Sequence, residues 1–208
     1  MYKVILLAGK AASGKDTLLQ RMLEEIPSLH GIVSCTTRPP REGEVNGKNY
    51  YFLTHEEFAE RVEDGRMFEA TIFNDWCYGT CVDHLSEDKI NIGGYNPEGI
   101  ECMMGYSNVV VYPILIEASD KTRLIRQLNR ETNPDVKEII RRYHADEEDF
   151  SDYNLQDIDF KHTLNNDREN DRGIGSGSLW IGIFSITDYA FVQSGPSTDH
   201  RSLVIQAD

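Results

Sequence analysis

Gly9-Lys-Ala-Ala-Ser-Gly14-Lys15 sets two glycines and a lysine at the spacing GxxxxGK. That spacing can wrap a phosphate chain. The glycines permit a tight turn with backbone N–H groups pointing inward, a following helix N-terminus adds positive potential, and Lys15 can reach the β- and γ-phosphates of a nucleoside triphosphate. Gly9, Ala11, Ala12, Ser13, Gly14, Lys15, Asp16 and Thr17 are therefore the expected ATP-binding residues, with Lys15 acting on the moving phosphoryl. The Ser or Thr that usually follows the lysine is Asp16 here, with Thr17 one position later. Magnesium would then be held by Asp16 through water or by Thr17.

A second set of groups suited to phosphate stands further along. Arg38 and Arg41 offer planar donor forks and Tyr50 adds a phenolic donor beside them. The chain carries 35 acids against 21 Lys and Arg, a formal charge of −14, so it has little other reason to concentrate arginine there. Its surface as a whole should repel nucleic acid and anionic membrane, and neither is an expected partner. Further basic residues, Arg126, Arg130, Arg141 and Arg142, fall on and around a polar turn at 131–135, where an exposed helical charge run is the plainer alternative.

These groups need a scaffold. Residues 2–8 read as a buried strand, because Val4, Ile5, Leu6 and Leu7 form a continuous apolar run. Leu18, Leu19, Met22, Leu23 and Ile26 recur at helical spacing after Gly14, so the loop at 9–15 lies between a strand and a helix. Short strands are expected at 31–35 and 49–53, and Thr54 with Glu57 signals a capped helix over 54–64. Further strands are expected at 67–73, 89–92 and 108–116, the last bending at Pro113 or beginning beyond it. A helix capped by Ser119 or Asp120 should run to about 129, and Pro134 fits the first turn of another reaching about 150. Alternating strands and helices predict an α/β fold, a three-layer sandwich with a mostly parallel sheet. Residues 168–178 are polar and glycine-rich, like a linker, and the remainder to 208 shows no helical period.

A composition of 39% hydrophobic and 27% charged residues fits an ordered globular chain. The four cysteines, Cys35, Cys77, Cys81 and Cys102, lack paired zinc-site spacings, and reduced thiols in a cytoplasm are the expectation. Cys77 and Cys81 could share a metal only with a further Cys or His pair, and none follows. The most apolar late stretch, 179–192, is shorter than the ~20 residues of a membrane span.

Ser34-Cys-Thr-Thr-Arg38-Pro-Pro-Arg41-Glu-Gly-Glu-Val-Asn-Gly-Lys-Asn-Tyr50-Tyr-Phe52 resembles the monophosphate-binding segment of guanylate kinases over its whole length. Phe68-Glu69 followed by Cys77-Tyr78-Gly79-Thr80 resembles the next block of that family. The resemblance implies that Ser34, Arg38, Arg41, Tyr50 and Tyr78 hold the phosphate of GMP, while Glu69 and Thr80 read guanine. A carboxylate suits guanine because N1–H and the 2-amino group are adjacent donors. Arg126, Arg130 and Arg141 or Arg142, with Arg142 favoured, resemble the arginines of an ATP-side lid over about 126–142. Asn165-Asn166-Asp167 resembles the adenine-side loop, which assigns Asn165 to ATP. The family's acidic strand end followed by Gln-Gly is absent. Here the chain reads Ile90-Asn-Ile-Gly-Gly-Tyr-Asn-Pro-Glu-Gly99, with Asn91, Asn96 or Glu98 left to compensate.

The resemblance covers residues 1–168, with a monophosphate lobe at about 34–84 inserted in the sandwich and a linker and tail at 169–208. It implies a nucleoside-monophosphate kinase that is cytoplasmic, a monomer or homodimer, and uses ATP and Mg2+ to phosphorylate GMP or dGMP. Two alternatives remain: a related kinase for another deoxynucleotide or a phosphorylated sugar, and a non-catalytic interaction module of the same family.

Overall fold

The computed structural model describes residues 1–41, 43–73, 75–130 and 132–167. The elements run β1 (Tyr2–Ala8), α1 (Lys15–Glu25), β2 (Leu29–Gly31), β3 (Cys35–Thr36), β4 (Tyr51–Phe52), α2 (His55–Glu63), β5 (Met67–Phe73) and β6 (Trp76–Cys81). After a short 3-10 turn come β7 (Ile90–Gly94), α3 (Pro97–Met104), β8 (Val109–Glu117), α4 (Asp120–Asn129), α5 (Val136–Asp149), α6 (Asp152–Leu155) and β9 (His162–Asn165). The tail at 169–208 and residue 131 of the lid turn lie outside the described residues.

A five-stranded sheet has the order β2-β7-β1-β8-β9, and all its pairings are parallel. Its central strand explains why. Val4, Ile5, Leu6, Leu7 and Ala8 are all 0% exposed, and since successive side chains point to opposite faces, both faces of the sheet are covered. Val4, Leu6 and Ala8 pack with Ile100 and Met103 of α3 and with Phe68. Each large aliphatic side chain so buried stabilises the fold by about 1.5–3 kcal/mol. The loop after β1, Gly94 at the end of β7 and Glu117 at the end of β8 share the carboxyl edge of this sheet, where α/β folds place their ligands.

The strand does not begin beyond Pro113: β8 is continuous through it, with Leu6 paired to Pro113. The N and C=O of one strand residue face the same side, and the Pro113 carbonyl accepts from Lys161 N at 2.9 Å, toward β9. Its missing N–H therefore faces an edge where β9 pairs only from Ile114 onward, and the β1 ladder loses nothing. The strand expected at 31–35 divides in two. β2 joins the large sheet beside β7, and β3 enters a second sheet of order β4-β3-β6-β5.

That second sheet lies within the segment expected to form the lobe, and its own small core is Cys35, Phe58, Met67 and Cys81. Phe58 comes from α2, whose capping box forms as expected: Thr54 Oγ1 accepts from Glu57 N at 3.1 Å and Glu57 Oε2 from Thr54 N at 2.8 Å. Ser119 caps α4. Pro134 precedes α5 instead of lying in its first turn, because the Asp135 carboxylate takes the cap by accepting from Lys137 N and Glu138 N. Among the described residues no helix is long and apolar enough to cross a membrane, and no group of three or more His, Cys, Asp or Glu could hold a metal. All four cysteines are free thiols.

Candidate active site

The loop at 9–15 takes a left-handed backbone that suits glycine and that Ala12 adopts at a cost. Ala12 and Gly14 are left-handed, at φ 60° and 96°. A Cβ on Gly9 would lie 2.6 Å from both Ile116 O and Ser13 Oγ, so no other residue fits there. Ser13 Oγ is buried without a hydrogen-bond partner among the described residues. Lys15 reaches across to β7: a Cβ on Gly94 would sit 2.7 Å from its Nζ. The same Nζ donates to the exposed Asp16 carboxylate at 2.5 Å. Thr17 is exposed at the start of α1.

Two arginines brace this loop from α4. Arg123, 1% exposed, donates to Ala11 O at 3.1 Å, to Asp146 at 2.6 Å and to Asp120 at 3.0 Å. Asp146 in turn accepts from Ala11 N at 2.8 Å, so α4, α5 and the loop share one knot. Arg126 donates to Ala12 O, Ser13 O and Asn166 O. Arg130 is exposed. Arg141 and Arg142 both grip Glu138 on α5, and these bonds hold its carboxyl down at about 2. Of Arg126, Arg130, Arg141 and Arg142, Arg126 alone hydrogen-bonds the loop among the described residues.

The segment at 165–167, expected on the adenine side, makes two kinds of contact. Asn166 donates from Nδ2 to Ser13 O at 2.8 Å. Asn165 instead exchanges hydrogen bonds with Asp167 and lines a cavity of about 390 Å3 together with Lys10, Ser119 and Arg123. Asp167 accepts from Ser119, which lowers its carboxyl to about 2.

In the lobe, Arg38 forms a two-pronged pair with Glu44 at 3.0 and 2.9 Å, which holds that carboxyl below its ordinary range. Its guanidinium lies 5.7 Å from the Tyr50 ring centre and 5.8 Å from that of Phe52, and Tyr50 meets Tyr78 edge-on. Arg41 is exposed, its backbone N donating to Glu44. Glu69 faces Thr80 across the β5–β6 ladder, and Thr80 Oγ1 donates to Glu69 Oε1 at 2.9 Å. Ser34 Oγ lies 3.4 Å from the same hydroxyl. Burial pushes the Glu69 carboxyl above its ordinary range, the Thr80 bond opposes this, and the charge of Glu98 adds to it.

The family model for guanylate kinase matches residues 1–172. The chain belongs to the guanylate kinase family. It is 45% identical to a guanylate kinase of Nostoc sp. over 38% of this chain and 39% of that one. A Helicobacter pylori guanylate kinase is 38% identical over 49% of this chain and 52% of its own, and one from Campylobacter jejuni 28% identical over 67% and 70%. The match thus spans 39% of the length of the first of these relatives and 52% of the second. The crystal structure of guanylate kinase from Anaplasma phagocytophilum shares the fold, with a TM-score of 0.53 and 18% identity over 92% of this chain and 86% of that one.

The three residues left to compensate for the absent acidic block take other roles around the end of β7. Asn91 is 0% exposed and spends its amide on Lys3 O, Ser86 O and Ser86 N, so it ties down a turn. Asn96 caps α3 by accepting from Gly99 N. Glu98 stays exposed, near enough to Glu69 for its charge to be felt. The residue that sequence reasoning passed over is Tyr95, whose hydroxyl lies 2.9 Å from Thr80 Oγ1.

Proposed function

We propose that the chain transfers the γ-phosphoryl of ATP to a guanine nucleoside monophosphate, GMP or dGMP. The observation that carries this reading is the pairing of a phosphate loop bearing Lys15 with a separate, largely sheltered carboxylate, Glu69, held by Thr80. ATP would lie along the loop, its β- and γ-phosphates against the backbone N–H groups and Lys15. Arg126, already on the loop carbonyls, and Arg130 and Arg142 from the lid would offset charge on the moving phosphoryl. Arg38, Arg41, Tyr50, Tyr78 and Ser34 would hold the acceptor phosphate. An acceptor phosphate oxygen then attacks the γ-phosphorus in line, the bond to the β-phosphate oxygen breaks, and ADP leaves. Positioning carries most of this chemistry, and no covalent enzyme intermediate is required.

The donors at the start of α1 fit magnesium, since Asp16 and Thr17 are hard oxygens open to solvent and Mg2+ takes one or two protein groups beside phosphates and waters. When bound there, the ion would neutralise charge on the β- and γ-oxygens. The formal charge of −14 disfavours nucleic-acid and membrane partners and leaves small molecules as the expected ones, and a cytoplasmic enzyme acting as a monomer or homodimer is what the family resemblance suggests. A second reading, a kinase for another deoxynucleotide or a phosphorylated sugar, is favoured by the bare glycines at 93 and 94, but the Glu69–Thr80 pair suits a base better than a sugar phosphate. ADP release from ATP should be measured with GMP, dGMP, AMP, CMP, UMP and a sugar phosphate in turn. Fastest turnover with a guanine nucleotide supports the first reading, and fastest turnover with any other acceptor replaces it.

A further inference from the structure

Tyr95 occupies space that only glycine neighbours leave. A Cβ on Gly93 would meet its Cε2 at 2.7 Å, and a Cβ on Gly99 would meet its Cδ1 at 3.0 Å. Its backbone N donates to Leu7 O at 3.0 Å, two residues before the phosphate loop begins. The ring is thus fixed to the end of β1, while its hydroxyl reaches the lobe at Thr80. It is a direct link between the two halves of the candidate site.

The polarity of this link can be counted. Thr80 has one hydroxyl proton and donates it to Glu69 Oε1. The 2.9 Å contact with Tyr95 must then be donated by the phenol. Burial raises the Tyr95 phenol far above its ordinary value, so that proton stays in place. A fixed chain of donors therefore runs from Tyr95 to Thr80 to Glu69. It leaves Thr80 no proton for a ligand, and it leaves Glu69 Oε2 as a pure acceptor.

We infer that Tyr95 is a positioning residue for base recognition, orienting the Thr80 hydroxyl toward Glu69 Oε1 and leaving Glu69 Oε2 to accept from a base presenting adjacent N–H donors. This rests on the reading of the site as a guanine-nucleotide kinase. Gly93 is then part of the same device, since any side chain there would displace the ring.

The test is a cycle of Tyr95→Phe, Thr80→Val and the double variant, with kcat and KM for GMP and AMP, the pH profile, calorimetric GMP binding and a melting temperature for each. Tyr95→Phe should raise KM for GMP about tenfold, with kcat changed less than about threefold and KM for ATP unmoved. The acid limb of kcat/KM should move to higher pH as Glu69 loses support. The double variant should be no worse than Thr80→Val alone, because the phenol acts through Thr80. Gly93→Ala keeps the hydroxyl but pushes the ring aside, and should reproduce the GMP defect, which keeps the test open if Tyr95→Phe does not fold. An unchanged GMP-to-AMP ratio in Tyr95→Phe, or an equal loss for both nucleotides with a lowered melting temperature, overturns the inference while the kinase reading stands. Wild-type protein that neither binds nor prefers GMP overturns the kinase reading itself, and this inference with it.

Discussion

Replacing Arg123 by alanine should damage both stability and ATP binding. Removing one side of a buried ion pair costs about 3–5 kcal/mol, because the partner is left charged and dry. Here the side chains of Asp120 and Glu147 are 57% and 43% exposed and can return to water, whereas Asp146 is 16% exposed and keeps only the Ala11 N–H. About 3 kcal/mol is therefore expected, near the lower end of that range. At about 2–4 °C per kcal/mol for a chain of this size, the melting point should fall by roughly 6–12 °C. KM for ATP should also rise about tenfold, since Ala11 O loses its donor and the loop its brace. Urea unfolding and steady-state kinetics measure the two effects. Arg123→Met combined with Asp146→Leu separates them: stability should return toward wild type when both charges leave together, while the ATP defect persists. Arg123→Ala within about 1 kcal/mol of wild type, with an unchanged KM for ATP, would refute the bracing role.

Lys15→Ala should lower kcat by at least about 100-fold with circular dichroism unchanged, as its charge acts most on the transferring phosphoryl; near-normal turnover would remove the loop from the mechanism. Arg38→Ala and Arg41→Ala should chiefly raise KM for the monophosphate, each losing a charge-assisted contact of about 1.5–3 kcal/mol, and a collapse of ATP binding instead would mean the two phosphate sites are reversed. Glu69→Gln should stabilise the protein at neutral pH. The folded-state carboxyl is raised by burial, so its favourable contribution is present at acid pH and lost as pH rises through the raised value. Melting curves from pH 4 to 8 should show the variant's advantage grow with pH, and an advantage greatest in acid would refute the assigned shift.

The strongest local patterns carried the farthest. The loop at 9–15, the Thr54–Glu57 capping box and the apolar run of β1 each depend on near neighbours in the chain, and each appears where its spacing puts it. What escaped depends on distant partners. α3 (Pro97–Met104) is not expected from the sequence, and it is held by Ile100 and Met103 packing against the sheet. β9 has four residues and is a strand only because β8 offers it an edge. Arg123 is not singled out in the sequence, and its role comes from Asp146, 23 positions away, which pairs with it in the interior. The choice of Asn166 over Asn165 against the loop, and of Tyr95 for the space above Gly93, are settled by which side of the backbone each residue takes. Neither is a matter of residue type.

The central claim concerns the base, and the most direct test is the ratio of kcat/KM for GMP over AMP in wild type and in Glu69→Gln. The carboxylate can accept from N1–H and the 2-amino group of guanine, while adenine offers no such donors and would leave a half-buried charge unpaired. A charge-assisted bond of about 1.5–3 kcal/mol corresponds to on the order of 10- to 100-fold discrimination. Wild type should prefer GMP, and Glu69→Gln should shrink the ratio by at least about tenfold with ATP binding intact. A wild-type preference for AMP or a pyrimidine monophosphate, or a full GMP preference surviving in Glu69→Gln, would contradict the account.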